Sequence, residues 1–254
     1  MTSSYTSNIS TDTDVDVKKN LMTPEKPPDI TLHDAARLGY KKKVKSLLEF
    51  GGHPDQPGRF GRLPLHLAAR FNRVSILKIL LDHGSNIEAK TDNSAQRNAL
   101  HYAASRGHIT CVDFILGAGA NIDSTDSKNK TALYIAASAG HTKVVASLIE
   151  SKANLEIADS QKGWTPLHVA IEKSRLKSVY LLLLAGADPN VKCKKGFTPA
   201  EHAKRQKNHK IMGLFNSDLN NVKEALTNRE DFAEQSSEDD QVIPTPKSTD
   251  KVTQ

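Results

Sequence analysis

Cysteine is scarce, with two in 254 residues, Cys111 and Cys193. That excludes a disulfide-stapled scaffold and a cysteine-based zinc module. Long apolar runs are missing too. The longest, such as 179–187, falls far short of the roughly 20 residues a membrane span needs, so no integral membrane association is expected. The N-terminal MTSSYTSNIS has no basic segment followed by an apolar one, so no secretory leader is expected. Position 2 is not glycine, so no myristoyl anchor is expected either. These absences predict a reducing compartment, the cytoplasm or the nucleus.

Catalytic signatures are equally lacking. There is no GxSxG elbow, no phosphate-cradling GxxxxGK[ST] loop, no GxGxxG opening a helix after a strand and no HExxH. Carboxylates do not pair at positions that would converge. No catalytic residue, no cofactor and no metal site is expected, and the chain reads as a non-enzyme.

What is present is a repeat. Leu32, Leu65, Leu100, Leu133, Leu167 and Ala200 are separated by 33, 35, 33, 34 and 33 residues. The surrounding segments align as TLHDAARLGY, PLHLAARFNR, ALHYAASRGH, ALYIAASAGH, PLHVAIEKSR and PAEHAKRQKN. Each of the first five is followed by an apolar stretch and a turn such as DHGSNIE or LAGADPN. In the fourth unit Leu133, Ala136 and Ala137 share a helix face, and Val144, Val145, Leu148 and Ile149 share the next. The spacing predicts two short helices per unit. Pro64, Pro166 and Pro199 stand where a helix begins. Gly39, Gly107 and Gly140 stand in the link between helices. One such unit cannot bury its faces alone, whereas a stack makes a continuous core.

The TPLH-type tetrapeptide, the Ala-Ala pair, the Gly-His link and the Gly-Ala-(Asp/Asn) turn resemble the ankyrin repeat family. The resemblance spans about residues 29–215 and implies an all-α solenoid of stacked helix-turn-helix units with β-hairpin fingers. On this register the units fall at about 29–58, 59–92, 93–126, 127–159, 160–193 and 194–215. The third finger, within 91–98, has two extra residues, and the fifth has one near 160–161. Asn72 and Ser174 replace the link glycine, and Gln96 and Asn129 the finger glycine. The sixth unit, with a polar outer face, reads as the C-terminal cap. Leu219, Val222 and Leu226 predict a further capping helix at 216–227. Residues 1–28, with nine Ser/Thr, and 228–254, polar and acidic, read as disordered flanks.

His33, His66, His101 and His168 occupy one repeat position. The resemblance implies that this imidazole bonds to the helix start and to finger backbone, and Tyr134 at the same position argues against a ligand role. Cys111 reads as a buried, reduced thiol. Cys193 replaces an Asp-type finger residue and reads as exposed, with no base to activate it. Lys41, Lys42, Lys43 and Lys45 read as a solvated face, with an anionic-surface or nuclear-import patch as the alternative.

The net charge is +6, but it is unevenly placed. Residues 29–215 hold 28 basic and 16 acidic side chains, residues 1–28 hold three and four, and residues 216–254 hold four and nine. The resemblance implies that partners bind variable positions on the fingers and on the ends of the first helices, which together line a concave groove. Those positions number 27, of which 13 are basic and one, Glu172, is acidic. The candidate contacts are Arg37 in the first unit, then Arg59, Phe60, Arg62, Arg70 and Phe71 in the second. Arg97 and Arg106 follow in the third, and Lys128 and Lys130 in the fourth. The fifth supplies Lys162, Trp164 and Lys173, and the sixth Lys194, Lys195, Phe197 and Arg205. A one-signed groove steers an acidic ligand inward, and interleaved aromatic and Arg side chains are the types that carry binding energy.

The expected activity is therefore protein binding by an adaptor, scaffold or regulatory protein, a monomer whose partner offers an acidic segment with apolar anchors. A polyanion, nucleic acid or anionic lipid, is the alternative ligand. The acidic tail is a candidate intramolecular occupant of the same groove. Ser236 and Ser237, before acids, and Thr23 and Thr245, before prolines, are candidate phosphorylation sites. Asn190 resembles an asparagine-hydroxylation position of such repeats.

Overall fold

A computed structural model describes residues 30–216. It contains twelve short α-helices in six consecutive pairs. The first helices of the pairs are α1 (Leu32–Leu38), α3 (Pro64–Arg70), α5 (Ala99–Arg106), α7 (Ala132–Ala139), α9 (Pro166–Glu172) and α11 (Pro199–Arg205). The second helices are α2 (Lys41–Glu49), α4 (Val74–Asp82), α6 (Ile109–Gly117), α8 (Thr142–Glu150), α10 (Leu176–Leu184) and α12 (His209–Asn216). First helices stack on first helices and second on second, giving two layers that run the length of the described residues. No helix among the described residues is long and apolar enough to cross a membrane.

The alanine pairs explain the close stacking of the first layer. Ala35 and Ala36, Ala68 and Ala69, Ala103 and Ala104, and Ala136 and Ala137 are all fully buried. With nothing beyond Cβ, they let adjacent helices approach while Leu65, Leu100, Leu133 and Leu167 fill the space between layers. The second layer contributes Val44, Leu77, Val112, Val144, Val179 and Ile211.

Helix starts are specified locally. Thr31, Asn98, Thr131, Thr165 and Thr198 each accept the N3 backbone N–H through the side chain. Proline is the first residue of α3, α9 and α11. The link needs a left-handed residue. Gly39, Gly107 and Gly140 take φ of 85°, 75° and 85°, and the substitutes Asn72 and Ser174 are held at 55° and 54°. Gln96 and Asn129, in place of the finger glycine, also have positive φ.

The fingers differ from the expected β-hairpins. No strand occurs among the described residues. Each finger is a turn closed by its own backbone, as Gly58 N–H to Arg62 O, Thr91 to Arg97, Asp126 to Lys130, Asp159 to Trp164 and Cys193 to Phe197, at 2.9–3.0 Å. Five to seven residues are too few for a two-stranded ladder. The third and fifth fingers are the longer ones, as their extra residues require. Neighbouring fingers are instead joined side by side by backbone bonds, Asp92 N–H to Gly61 O, Ser127 to Ala95, Ser160 to Lys128 and Lys194 to Lys162, at 2.9–3.1 Å, and by side chains that donate to the adjacent finger's backbone, Asn93 to Phe60 O, Ser127 to Ser94 O and Asn129 to Ala158 O.

The expected helix at 216–227 and both flanks lie outside the described residues, apart from the C-terminal residue of α12.

Candidate interaction surface

Three fingers are held at their base by one buried side chain each. Asp126 Oδ1 accepts the backbone N–H groups of Lys128 and Lys130 at 2.8 and 3.1 Å. Asp159 accepts those of Gln161, Lys162 and Trp164 at 2.9–3.0 Å, and the Tyr134 hydroxyl donates to it at 3.3 Å. Burial pushes the Asp159 carboxyl up, but the three backbone donors and Lys130 outweigh it and hold it below the usual range. Thr91 does the same work in the third finger, where its Oγ1 accepts the Arg97 N–H at 3.0 Å. Cys193 occupies this base position in the last finger. It is therefore buried, 5% exposed, and not at the surface as its sequence context implied. Cys111 is fully buried, and burial pushes its thiol up to about 12.

The histidines at the repeated position brace the fingers. His66 Nε2 donates to Ala89 O at 2.8 Å while its Nδ1 accepts the Leu63 N–H at 3.1 Å. His101 donates to Lys130 O at 3.0 Å and accepts from Asn98 N–H at 3.3 Å. His168 donates to Phe197 O, and its Nδ1 accepts the Thr165 hydroxyl at 2.9 Å. His33 donates to Gln56 O at 2.8 Å. Desolvation is the largest cause that lowers His66 and His101 to about 4 and lowers His168. Among the described residues no group of three or more His, Cys, Asp or Glu is placed to hold a metal ion.

A second ladder runs along the turns that follow the second helices. Asp55 accepts the Asn86 N–H at 2.8 Å, Glu88 that of Asn121 at 2.6 Å, Asp123 that of Asn154 at 2.9 Å, and Glu156 that of Asp188 at 2.8 Å. Within each turn the Asn or Asp side chain accepts the N–H two residues on, as Asn86 from Glu88, Asn121 from Asp123 and Asn154 from Glu156. Reasoning from sequence missed this ladder, although the recurring triplets NIE, NID and NLE carried its signal. Asn190 is exposed at the next rung.

Asp55, Glu88, Asp123, Asp126, Glu156 and Asp159 are thus committed to structure, whereas many basic side chains of the finger row stand exposed. Arg59, Lys128, Lys162, Lys194, Lys195, Arg106, Lys173 and Arg205 are exposed. Ion pairs engage two of the predicted contacts among the described residues, Arg37 with Asp34 and Arg97 with Asp126, both at 3.4 Å. The aromatic side chains lie against these cations. Arg59 and Arg62 sit 5.0 and 5.3 Å from the Phe60 ring, Arg70 5.9 Å from Phe71, Lys162 3.8 Å from Trp164 and Arg205 4.3 Å from Phe197. Lys130 stands 5.1 Å from Tyr134. Trp164 also meets His202 edge-on at 5.3 Å. Phe60 is 59% exposed and adopts φ 63°, ψ 30°, a region a bulky residue rarely occupies.

Residues 32–126 and 118–193 match the family model for ankyrin repeats in three copies. The chain belongs to the ankyrin repeat family. Ankyrin repeats are protein–protein interaction modules, and relatives of this ankyrin-repeat chain carry other parts as well. It is 40% identical over 168 residues to human ankyrin repeat and SOCS box protein 3, covering 65% of this chain and 32% of that protein. Identity is 30% over 186 residues to the mouse B-cell lymphoma 3 protein homolog, covering 72% and 33%. A putative E3 ubiquitin-protein ligase of Arabidopsis thaliana is 32% identical over 156 residues, covering 61% and 29%. The chain spans about a third of the length of these relatives.

The four candidate phosphorylation sites, Thr23, Ser236, Ser237 and Thr245, lie outside the described residues.

Proposed function

We propose that this chain is a non-enzymatic adaptor or regulatory module of the cytoplasm or nucleus that captures an acidic, apolar-studded segment of a partner protein along its finger row. One observation carries the reading: acids are tied into the stacking ladders while the cations of the finger row face outward beside aromatic rings. Such a surface focuses its potential on one face, and its Phe, Trp and Arg side chains supply anchors.

A polyanion is the second reading, and the aromatic geometry speaks against it. Single-stranded nucleic acid is bound by stacking bases on open ring faces, whereas Phe60 and Trp164 already have cations over theirs. Steep salt dependence without preference among polyanions would favour that reading.

The test is capture with the full chain beside Arg70→Glu/Arg106→Glu/Lys130→Glu. Partners lost from the variant alone are ligands of the row, and survival of every partner contradicts the assignment. In the same reading the acidic residues 228–254 compete intramolecularly for the row. Deleting them tightens partner binding and steepens its salt dependence, and unchanged affinity contradicts the competition.

A further inference from the structure

The second and third units hold an arginine cluster that no structural role absorbs. Arg62 leads from the second finger into α3, and its Nε is buried with no hydrogen-bond partner. Arg70 and Arg106 end α3 and α5, two helices that stack directly on each other. None of the three forms an ion pair among the described residues. Asp92, the acidic residue of the neighbouring finger, donates its backbone N–H to Gly61 O and forms no ion pair with the three arginines. Arg70 is lowered from its ordinary value, first by desolvation and then by Arg106 and Arg62, which places its guanidinium within reach of both neighbouring positive charges. Phe60 and Phe71 flank the cluster, both exposed.

Mutual repulsion with an unpartnered buried N–H is a cost in the free protein, relieved by a compact anion of high charge. A single carboxylate supplies two oxygens and one charge. A phosphoryl group supplies three acceptor oxygens and nearly two charges, and it pairs with guanidinium forks bidentately. We propose that Arg62, Arg70 and Arg106 form a receptor for one phosphorylated side chain of a partner peptide, with Phe60 and Phe71 contacting the apolar residues beside it. The proposal rests on the protein-binding reading above and names the chemistry of that partner.

The test uses a short peptide with one phosphoserine between phenylalanines, the same peptide with glutamate in its place, inorganic phosphate, and vesicles bearing phosphorylated inositol lipid. Calorimetry on the full chain gives affinities, and the Arg62 Nε–H resonance reports the contact. The phosphopeptide should bind at least about tenfold tighter than the glutamate peptide and shift the Arg62 resonance, and Arg70→Gln or Arg106→Gln should remove that preference. Lys78→Gln, on α4, should leave it unchanged. Equal affinity for the two peptides, an unmoved Arg62 resonance, or an equal loss from Lys78→Gln would overturn the proposal. So would inorganic phosphate or the vesicles binding as tightly as the phosphopeptide. The wild-type resonance decides the matter even if an arginine variant folds poorly. If the phosphopeptide shows no preference while the triple charge reversal still abolishes capture, the receptor alone is wrong and the interaction surface stands.

Discussion

At the residue scale, the imidazoles of His66 and His101 matter more for stability than for chemistry. Each donates from Nε2 to a backbone carbonyl and turns Nδ1 toward the N-cap backbone N–H, and a second proton would charge a buried ring. Both are held near 4, against 6.5 in the unfolded chain. Between those values the unfolded state binds the extra proton, so their contribution is whole above about pH 6.5 and is lost as pH falls toward 4. Each adds a slope approaching about 1.4 kcal/mol per pH unit in that window. Asp159 and Glu201, held low, lose theirs only at lower pH. Denaturant titrations at pH 7, 6 and 5 should show this decline, and His101→Gln should flatten it while lowering stability overall. A slope indifferent to the substitution would contradict the assignment. The repeated histidine was legible in the sequence because its spacing is constant. The burial of Cys193 was not, because a thiol in an Asp position resembles a surface change until the position itself is seen to be the finger base.

At the element scale, fingers and turns are held by carboxylates that accept backbone N–H groups of the next unit. Glu88 accepts from Asn121 N–H and from the Asn98 side chain at 3.2 Å. Glu88→Ala leaves these donors unpartnered and should cost about 1–3 kcal/mol in urea unfolding. It should also weaken coupling between the second and third units, which a lower, broader transition would report. No change in midpoint would mean that the ladder is ornamental. On α10, Tyr180 buries its hydroxyl without a partner, so Tyr180→Phe should be neutral or stabilising, by up to about 1 kcal/mol. A loss of more than that would show the hydroxyl to be bonded. Helix starts and links were readable before the structure: Thr165-Pro166 and Thr198-Pro199 announce their caps, and Asn72, Ser174, Gln96 and Asn129 all carry the left-handed conformation of the glycines they replace. The turn ladder was hidden because its acids alternate between Asp and Glu and look like ordinary surface charge. The left-handed Phe60 gave no sequence signal, since nothing local requires it.

At the scale of the whole molecule, a modest net charge of +6 conceals a division of labour. Asp55, Glu88, Asp123 and Glu156 serve bonds between units, and in the proposed reading the cations of the finger row make one basic face on a scaffold otherwise balanced in charge. The proposed row comes from the repeat register, which assigns each variable position, and its members differ in their surroundings. Arg97 is drawn to Asp126 at the finger base, whereas Arg106, Lys128 and Lys195 stand exposed. The central claim is that this face, and not the bulk charge, binds the partner. It is tested by calorimetry of one captured partner against two charge-matched variants. Arg70→Glu/Arg106→Glu/Lys130→Glu alters the row, and Lys45→Glu/Lys78→Glu/Lys143→Glu alters exposed positions on α2, α4 and α8. The row variant should lose at least about a hundredfold in affinity and the outer variant only a few-fold, as expected when charge contacts at an interface are reversed. Equal losses from the two would contradict the account.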